Sequence, residues 1–278
     1  MASDAQVAEG VAVARDYYDS DEADTFYSAV WGGEDIHIGL YDGTDDIRTA
    51  SRRTVDRMVE KLGDLSGKSV IDLGSGYGGA ARVLAGEHGA RVTCLNLSSV
   101  ENERNRALTA QAGLSDAITV IDGSFDAMPF ADASFDVAWS QDAILHAPDR
   151  GAVLDEVARV LKPGGLFVFH DPMQADGLSD TDALQPIYDR IHLPDLASIG
   201  FYREGLTARG FSEIETELLT HQLGTHYRRV REDLLGRQAD LDLPEEFVTR
   251  MSAGLNHWVE GAANGNLRWA IMTYRKNG

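Results

Sequence analysis

The chain has 278 residues and a hydrophobic fraction of 43%, enough for a full core and too much for a disordered protein. Its 45 acidic against 25 basic residues leave a net charge of −20, a field that repels phosphate backbones and anionic membranes, so no nucleic-acid or membrane partner is expected. The single cysteine, Cys94, excludes an internal disulfide framework and a cysteine-based zinc site.

The N-terminal stretch MASDAQVAEG lacks the basic start and apolar run of a secretion signal. No run of about 18 apolar residues follows, so a cytoplasmic protein is expected. Residues 1–65 read as a helical cap with an aromatic-rich middle at Tyr17, Tyr18, Phe26, Tyr27 and Trp31. From 68 to 171 short apolar runs alternate with helical patterns, which predicts βαβ units and a parallel sheet. Strands are expected at 69–73, 91–97, 117–121, 135–140 and 166–170, with a helix at 80–88. A further helix at 151–161 carries Val153, Leu154, Val157, Ala158 and Leu161 on one face, and Pro163-Gly164-Gly165 should end it. Residues 172–226 read as an insertion with one strand near 213–219; a helix after Pro244 and a final strand at 267–274 follow. The predicted organisation is a cap (1–65), a doubly wound, Rossmann-like α/β core (66–171), and a substrate-binding insertion with strands that complete the sheet (172–278).

The first strand runs into Asp72-Leu73-Gly74-Ser75-Gly76-Tyr77-Gly78-Gly79, a glycine turn at the carboxyl end of a strand and the start of a helix. That is where an open parallel sheet binds its ligand, and glycines there let backbone amides approach it closely. A dinucleotide-dependent oxidoreductase has a similar loop but wants an uncluttered helix N-terminus; the buried carboxylate of Asp72 suits the ammonium of a methionine moiety instead. Downstream come Gly123-Ser124-Phe125-Asp126-Ala127-Met128-Pro129-Phe130, then Ser134-Phe135-Asp136-Val137 and Lys162-Pro163-Gly164-Gly165. In this order the elements resemble those of class I S-adenosylmethionine (SAM) methyltransferases, which implies SAM as methyl donor, S-adenosylhomocysteine as product, and no metal. Two departures stand out: Asn96 replaces the usual acid at the end of the second strand, and Ser124 stands where an adenine-facing acid is common. Asp126 is read equally well as a ligand contact or a surface acid.

Three groups of segments suggest the acceptor. They are 26–39, with Tyr27, Trp31 and His37; the strip Gln141-Asp142-Ala143-Ile144-Leu145-His146; and Arg190, His192, Tyr202, Arg203 and 254–261 in the last third. Over nearly the whole chain these strings resemble the sarcosine/dimethylglycine N-methyltransferases that make glycine betaine, with phosphoethanolamine-type or natural-product methyltransferases as the alternative. The resemblance implies a small amino-acid substrate, with Asp142 and His146 beside the reacting amine and Tyr18 (or Tyr17) latching over the site. It also implies a cofactor contact set of Asp72, Gly74, Ser75, Gly76, Asn96, Leu97, Ser124, Phe125, Gln141 and His37. Because the amine must shed a proton before its lone pair can attack, His146 oriented by Asp142 is read as its acceptor. Tyr27, Trp31 and Tyr202 are aromatic candidates for holding the ammonium. Arg190 is the first choice for the carboxylate, with Arg203 and His192 as alternatives. Trp139 and Trp258 are read as core packing rather than cage walls. The sequence leaves the oligomeric state open, and the acidic excess suits a salt-rich cell.

Overall fold

A computed structural model describes residues 25–27, 29–31 and 33–278. Its strands are β1 (Ser69–Leu73), β2 (Arg91–Asn96), β3 (Ile118–Asp122), β4 (Phe135–Gln141), β5 (Leu161–Gln174), β6 (Phe211–Leu218) and β7 (Leu267–Lys276). They form one sheet in the order β3-β2-β1-β4-β5-β7-β6. β1 to β5 pair in parallel, and β7 inserts antiparallel between β5 and β6. The order reverses between β1 and β4, which opens a crevice at the carboxyl ends of those strands.

The helices are α1 (Ile47–Glu60), α2 (Gly79–Gly86), α3 (Ser99–Gln111), α4 (Arg150–Val160), α5 (Gln185–Ile191), α6 (Ile199–Ala208), α7 (Thr220–Gly236) and α8 (Glu245–Ala263). Local chemistry fixes several starts. Asp46, Ser98, Asp149 and Ser198 each accept a backbone N–H of the first turn that would otherwise lack a partner. β1 is almost wholly buried because helices cover both faces of a parallel sheet, which is why it reads as a continuous apolar run. α4 buries Val153, Leu154 and Val157, as its spacing predicts, and also Val160, while Ala158 is half-buried and Leu161 already belongs to β5.

The Pro163-Gly164-Gly165 stretch does not itself end that helix. Leu161 already has extended backbone and pairs with Phe135, and the stretch forms an irregularity early in β5 before pairing resumes at Val137 and Leu166. The insertion is also more ordered than its sequence suggests, holding α5, α6, β6 and α7. α7 and α8 pack on each other and on β7. Their apolar faces share one core with Phe26, Tyr27 and Trp31, so cap and insertion close over the crevice together.

Candidate active site

The glycine turn after β1 has left-handed backbone at Gly74, Gly76 and Gly78 (φ +74°, +50° and +75°), which only glycine adopts without strain. At Gly74 a side chain would also collide with the Ala143 methyl, because the turn packs directly against the loop after β4. The turn and the 34–37 segment enclose a cavity lined by Asp35, His37, Asp72, Ser75, Gly76 and Gln141 among others. Burial lifts the Asp72 carboxyl to about 7; His37 opposes that rise and Asp35 adds to it. His37 is buried as well, which disfavours its cation, but Asp35 at 3.8 Å and the charge on Asp142 outweigh burial and raise its affinity for a proton. The Ser75 hydroxyl is buried with no hydrogen-bond partner among the described residues. A carboxyl, a favoured imidazolium and an unsatisfied hydroxyl around one pocket fit the zwitterionic end of an amino acid.

The neighbouring cavity is lined by Gly74, Asn96, Leu97, Ser98, Glu101, Ser124, Phe125, Gln141, Asp142 and His146. Asn96 Nδ2 donates to Glu101 Oε2 at 2.9 Å, so a carboxylate stands beside the end of β2 although that strand ends in an amide. Glu101 was not anticipated; its signal is the Ser98-x-x-Glu101 spacing at the start of α3. Asp126 is not among the residues that line this cavity.

Asp142 adjoins both this cavity and the next. Its backbone is left-handed (φ +48°), and its N–H donates to His170 O at 2.9 Å. One carboxylate oxygen accepts from His170 Nδ1 at 2.7 Å and from Trp269 Nε1 at 3.0 Å; the other accepts from Ile38 N–H at 2.7 Å. Three of roughly four acceptor sites are thus used, leaving about one for a ligand. Burial opposes the charge, but the neighbouring His170 and the Ile38 N–H outweigh it and hold the carboxyl below its ordinary range. Burial is also the main force on His170 and lowers its affinity for a proton, in spite of Asp142. With its proton on Nδ1, His170 Nε2 accepts from Gln141 Nε2 at 3.2 Å, and Gln141 Oε1 in turn accepts from Trp139 Nε1 at 3.0 Å. Each bond of the chain Trp139–Gln141–His170–Asp142–Trp269 therefore runs from a donor to an acceptor. Sequence reasoning gives His170 and Trp269 no role at the site: His170 stands opposite Gln141 in the parallel β4–β5 register, and Trp269 opposite Pro172 in the antiparallel β5–β7 register.

The third cavity is lined by Tyr27, Trp31, Asp142, Leu145, His146, Pro172, Arg190, His192, Tyr227, Leu255 and Trp258. Tyr227 stacks on Trp258, with centroids 5.1 Å apart and planes 8° from parallel, and meets the edge of Trp31 at 5.6 Å. Tyr27 packs on Trp31 at 5.4 Å. Behind Trp31 and Tyr227 sits His226, wholly buried, whose Nδ1 accepts from Gly39 N–H and the Tyr41 hydroxyl; burial pushes its imidazole down to about 3. Arg190 Nη2 contacts Met251 Sδ at 2.9 Å. Part of His146 faces the cavities and the rest is enclosed by protein; this enclosure, with help from Arg150 and Arg190, pushes it down to about 4.

Several expectations are corrected. Asp142 is seated by His170, Trp269 and Ile38, partners that the sequence reading did not foresee. Tyr202 is not a cavity wall: it is fully buried between α6 and the sheet, and its hydroxyl donates to Asp171 at 2.6 Å. Arg203 pairs with Glu213 at 2.6 Å on the outer side of α6 and does not line the cavity that holds Arg190. Trp139 is buried core, as expected; Trp258 also belongs to a buried core cluster but lines the cavity as well. Tyr17 and Tyr18 lie outside the described residues.

Comparison with known proteins is consistent with this geometry. The methyltransferase domain family matches residues 71–169. The sarcosine/dimethylglycine N-methyltransferase of Halorhodospira halochloris is 48% identical over 96% of this chain and 97% of its own length. The chain belongs to the sarcosine/dimethylglycine N-methyltransferase family. The dimethylglycine N-methyltransferase of Parasynechococcus marenigrum is 52% identical over 96% of both chains. A candidate sarcosine dimethylglycine methyltransferase from Galdieria sulphuraria has a crystal structure that superposes with a TM-score of 0.87 at 44% identity, covering 93% of this chain and 99% of the other. Membership accounts for the sheet order, the class I methyltransferase arrangement with β7 antiparallel between β5 and β6. No helix among the described residues is long and apolar enough to cross a membrane.

Proposed function

We propose that this enzyme transfers methyl groups from SAM to the amines of sarcosine and N,N-dimethylglycine, giving glycine betaine. The observation that carries the reading is one cavity that brings the Asp142 carboxylate, four aromatic rings (Tyr27, Trp31, Tyr227, Trp258) and Arg190 together and shares Asp142 and His146 with the glycine-turn side. Aromatic faces and a carboxylate suit a nitrogen that ends as a quaternary cation, and a guanidinium suits a carboxylate.

SAM, when bound, supplies a methyl group on a sulfonium, so the protein has chiefly to align and desolvate the acceptor. Asp72 and the Ser75 hydroxyl would hold the ammonium of its methionine end, with His37 taking the carboxylate. Gly74 and Gly76 let the backbone approach, and Gln141 borders that end. Asn96, Leu97 and Glu101 would receive the ribose, with Ser124 and Phe125 beside the base. In the amine cavity, Arg190 would fix the acceptor's carboxylate, with His192 at the rim, and Tyr18 or Tyr17 is proposed as the latch.

His146 takes a different part from the expected proton acceptor. An α-ammonium has a pKa of about 8 or more, so handing its proton to an imidazole at about 4 is uphill by roughly 5 kcal/mol. In this reading solvent removes the proton, and the uncharged ring orients the free amine toward the methyl group while Asp142 stabilises the charge that forms on nitrogen.

The test is methyl transfer from labelled SAM to glycine, sarcosine, dimethylglycine and phosphoethanolamine. Sarcosine and dimethylglycine should be the best acceptors. Arg190→Ala should raise KM for dimethylglycine about tenfold to a hundredfold, the scale of one charge-assisted hydrogen bond, with SAM affinity unchanged. Transfer to phosphoethanolamine alone would overturn the assignment.

A further inference from the structure

Gly254 lies in the middle of α8, where glycine is a poor helix former and alanine the best. Its backbone is ordinary helix, so no turn demands it. Its use lies in what crosses it. A methyl group on Gly254 would fall on Arg190 Nη1 and sit 3.1 Å from its Cζ and 3.4 Å from its Cδ. Arg190 therefore leaves α5 and lays its guanidinium across the bare backbone of α8 at that residue, with Nη2 on Met251 Sδ at 2.9 Å. Met251, Gly254, Leu255 and Trp258 share one face of α8, by the spacing of three and four that a helix imposes. Leu255 and Trp258 line the amine cavity, so the shelf that carries the guanidinium is continuous with the aromatic wall that faces the methylated nitrogen.

We infer that Gly254 is a specificity-determining residue, a slot that sets how far the Arg190 guanidinium stands from the amine-binding aromatic wall and so selects α-amino acids with a one-carbon spacing between nitrogen and carboxylate. The inference rests on Arg190 as the carboxylate anchor. The atom that a methyl group would displace is the far end of a flexible side chain, not backbone. A substitution thus moves the arginine and leaves the helix in place. Gly254 is a positioning residue and touches no reacting atom.

The experiment is a double-mutant cycle on the full chain, with KM and kcat for dimethylglycine and SAM affinity by calorimetry as readouts, and melting temperature as the check on folding. Gly254→Ala should raise KM for sarcosine and dimethylglycine about tenfold, change kcat less, leave SAM affinity as it was, and keep or raise the melting temperature. On an Arg190→Ala background the same change should add nothing. Arg190→Lys, which has no guanidinium to collide, should shrink the Gly254→Ala penalty. If Gly254→Ala leaves KM within about twofold, or costs as much without Arg190 as with it, the slot is refuted while the anchor stands. An unchanged KM in Arg190→Ala alone would overturn the anchor, and this inference with it. Should Gly254→Ala fail to fold, the glycine is a packing requirement of α8 and the slot is likewise rejected.

Discussion

An added methyl at Gly74 would run into Ala143, whereas at Gly76 it would meet only Ile36 Cδ1 at an ordinary 3.7 Å. Of these two glycines beside the cofactor cavity, Gly74 is therefore the more sensitive to substitution. Gly74→Ala should weaken SAM binding by at least about tenfold in calorimetry, through both the collision and the φ of +74° that alanine resists; unchanged affinity in a folded variant would remove the turn from the cofactor site. His146 gives a second residue-scale prediction. Its imidazole, held at about 4, is uncharged across neutral and alkaline pH, so the acceptor's own ammonium should govern the pH profile. His146→Ala should lower kcat/KM by a factor that stays constant from about pH 7 to pH 9.5. A deficit that shrinks with rising pH would restore the ring as proton acceptor. At this scale the site was partly legible. Asp72, Asp142, His146 and Arg190 stood out as charged or titratable groups next to strand ends or within specific strings. Tyr227 and His226 did not, because a tyrosine and a histidine on an otherwise polar helix give no sign that their rings face a cavity and not solvent.

Between β5 and α6 lies a buried pair with its own pH dependence. Burial lifts Asp171 to about 8, and the Tyr202 hydroxyl that donates to it only partly offsets this. The folded state thus keeps a proton on Asp171 that the unfolded chain releases near its ordinary value of 3.8. Where the folded state binds more protons, stability falls with rising pH, so this group costs stability progressively from about pH 4 to about pH 8 and no further above that. Asp171→Asn should flatten the fall: its melting temperature relative to wild type should rise between pH 5 and pH 8, by at least about 1 kcal/mol of stability, the worth of one pKa unit. A parallel pH dependence in the two proteins would show Asp171 ionised in the fold. The elements of the sheet were legible because strands buried on both faces read as apolar runs. α7 was not, since Leu223, Tyr227, Val230 and Leu234 make one stripe on a helix otherwise crowded with arginines and acids, and its partner α8 supplies the reason for that stripe.

Over the whole molecule many of the arginines among the described residues pair with carboxylates, as in Arg52 with Glu87, Arg57 with Glu217 and Arg209 with Asp155, yet the net charge remains −20. Each exposed pair adds little, and the unmatched acids repel one another through solvent. Added potassium chloride screens that repulsion, so the melting temperature should rise from low salt to about 1 M; a flat or falling curve would mean that self-repulsion costs this fold little. This property was legible from composition alone, since net charge needs no folded coordinates.

The bond from Trp269 to Asp142 joins residues 127 apart in sequence. On a translating ribosome, Asp142 emerges long before the strand that will seat it. β1 to β5 pair among themselves in parallel and can assemble a cofactor-binding half while β7 is still unmade. Until β7 slots between β5 and β6, His170 and the Ile38 N–H alone would hold the Asp142 carboxylate, and β5 would carry an open edge. Birth order thus leaves one tie for last: the strand that carries Trp269 follows all the others in chain order, so the tryptophan's bond to Asp142 closes only after the rest of the sheet has been made.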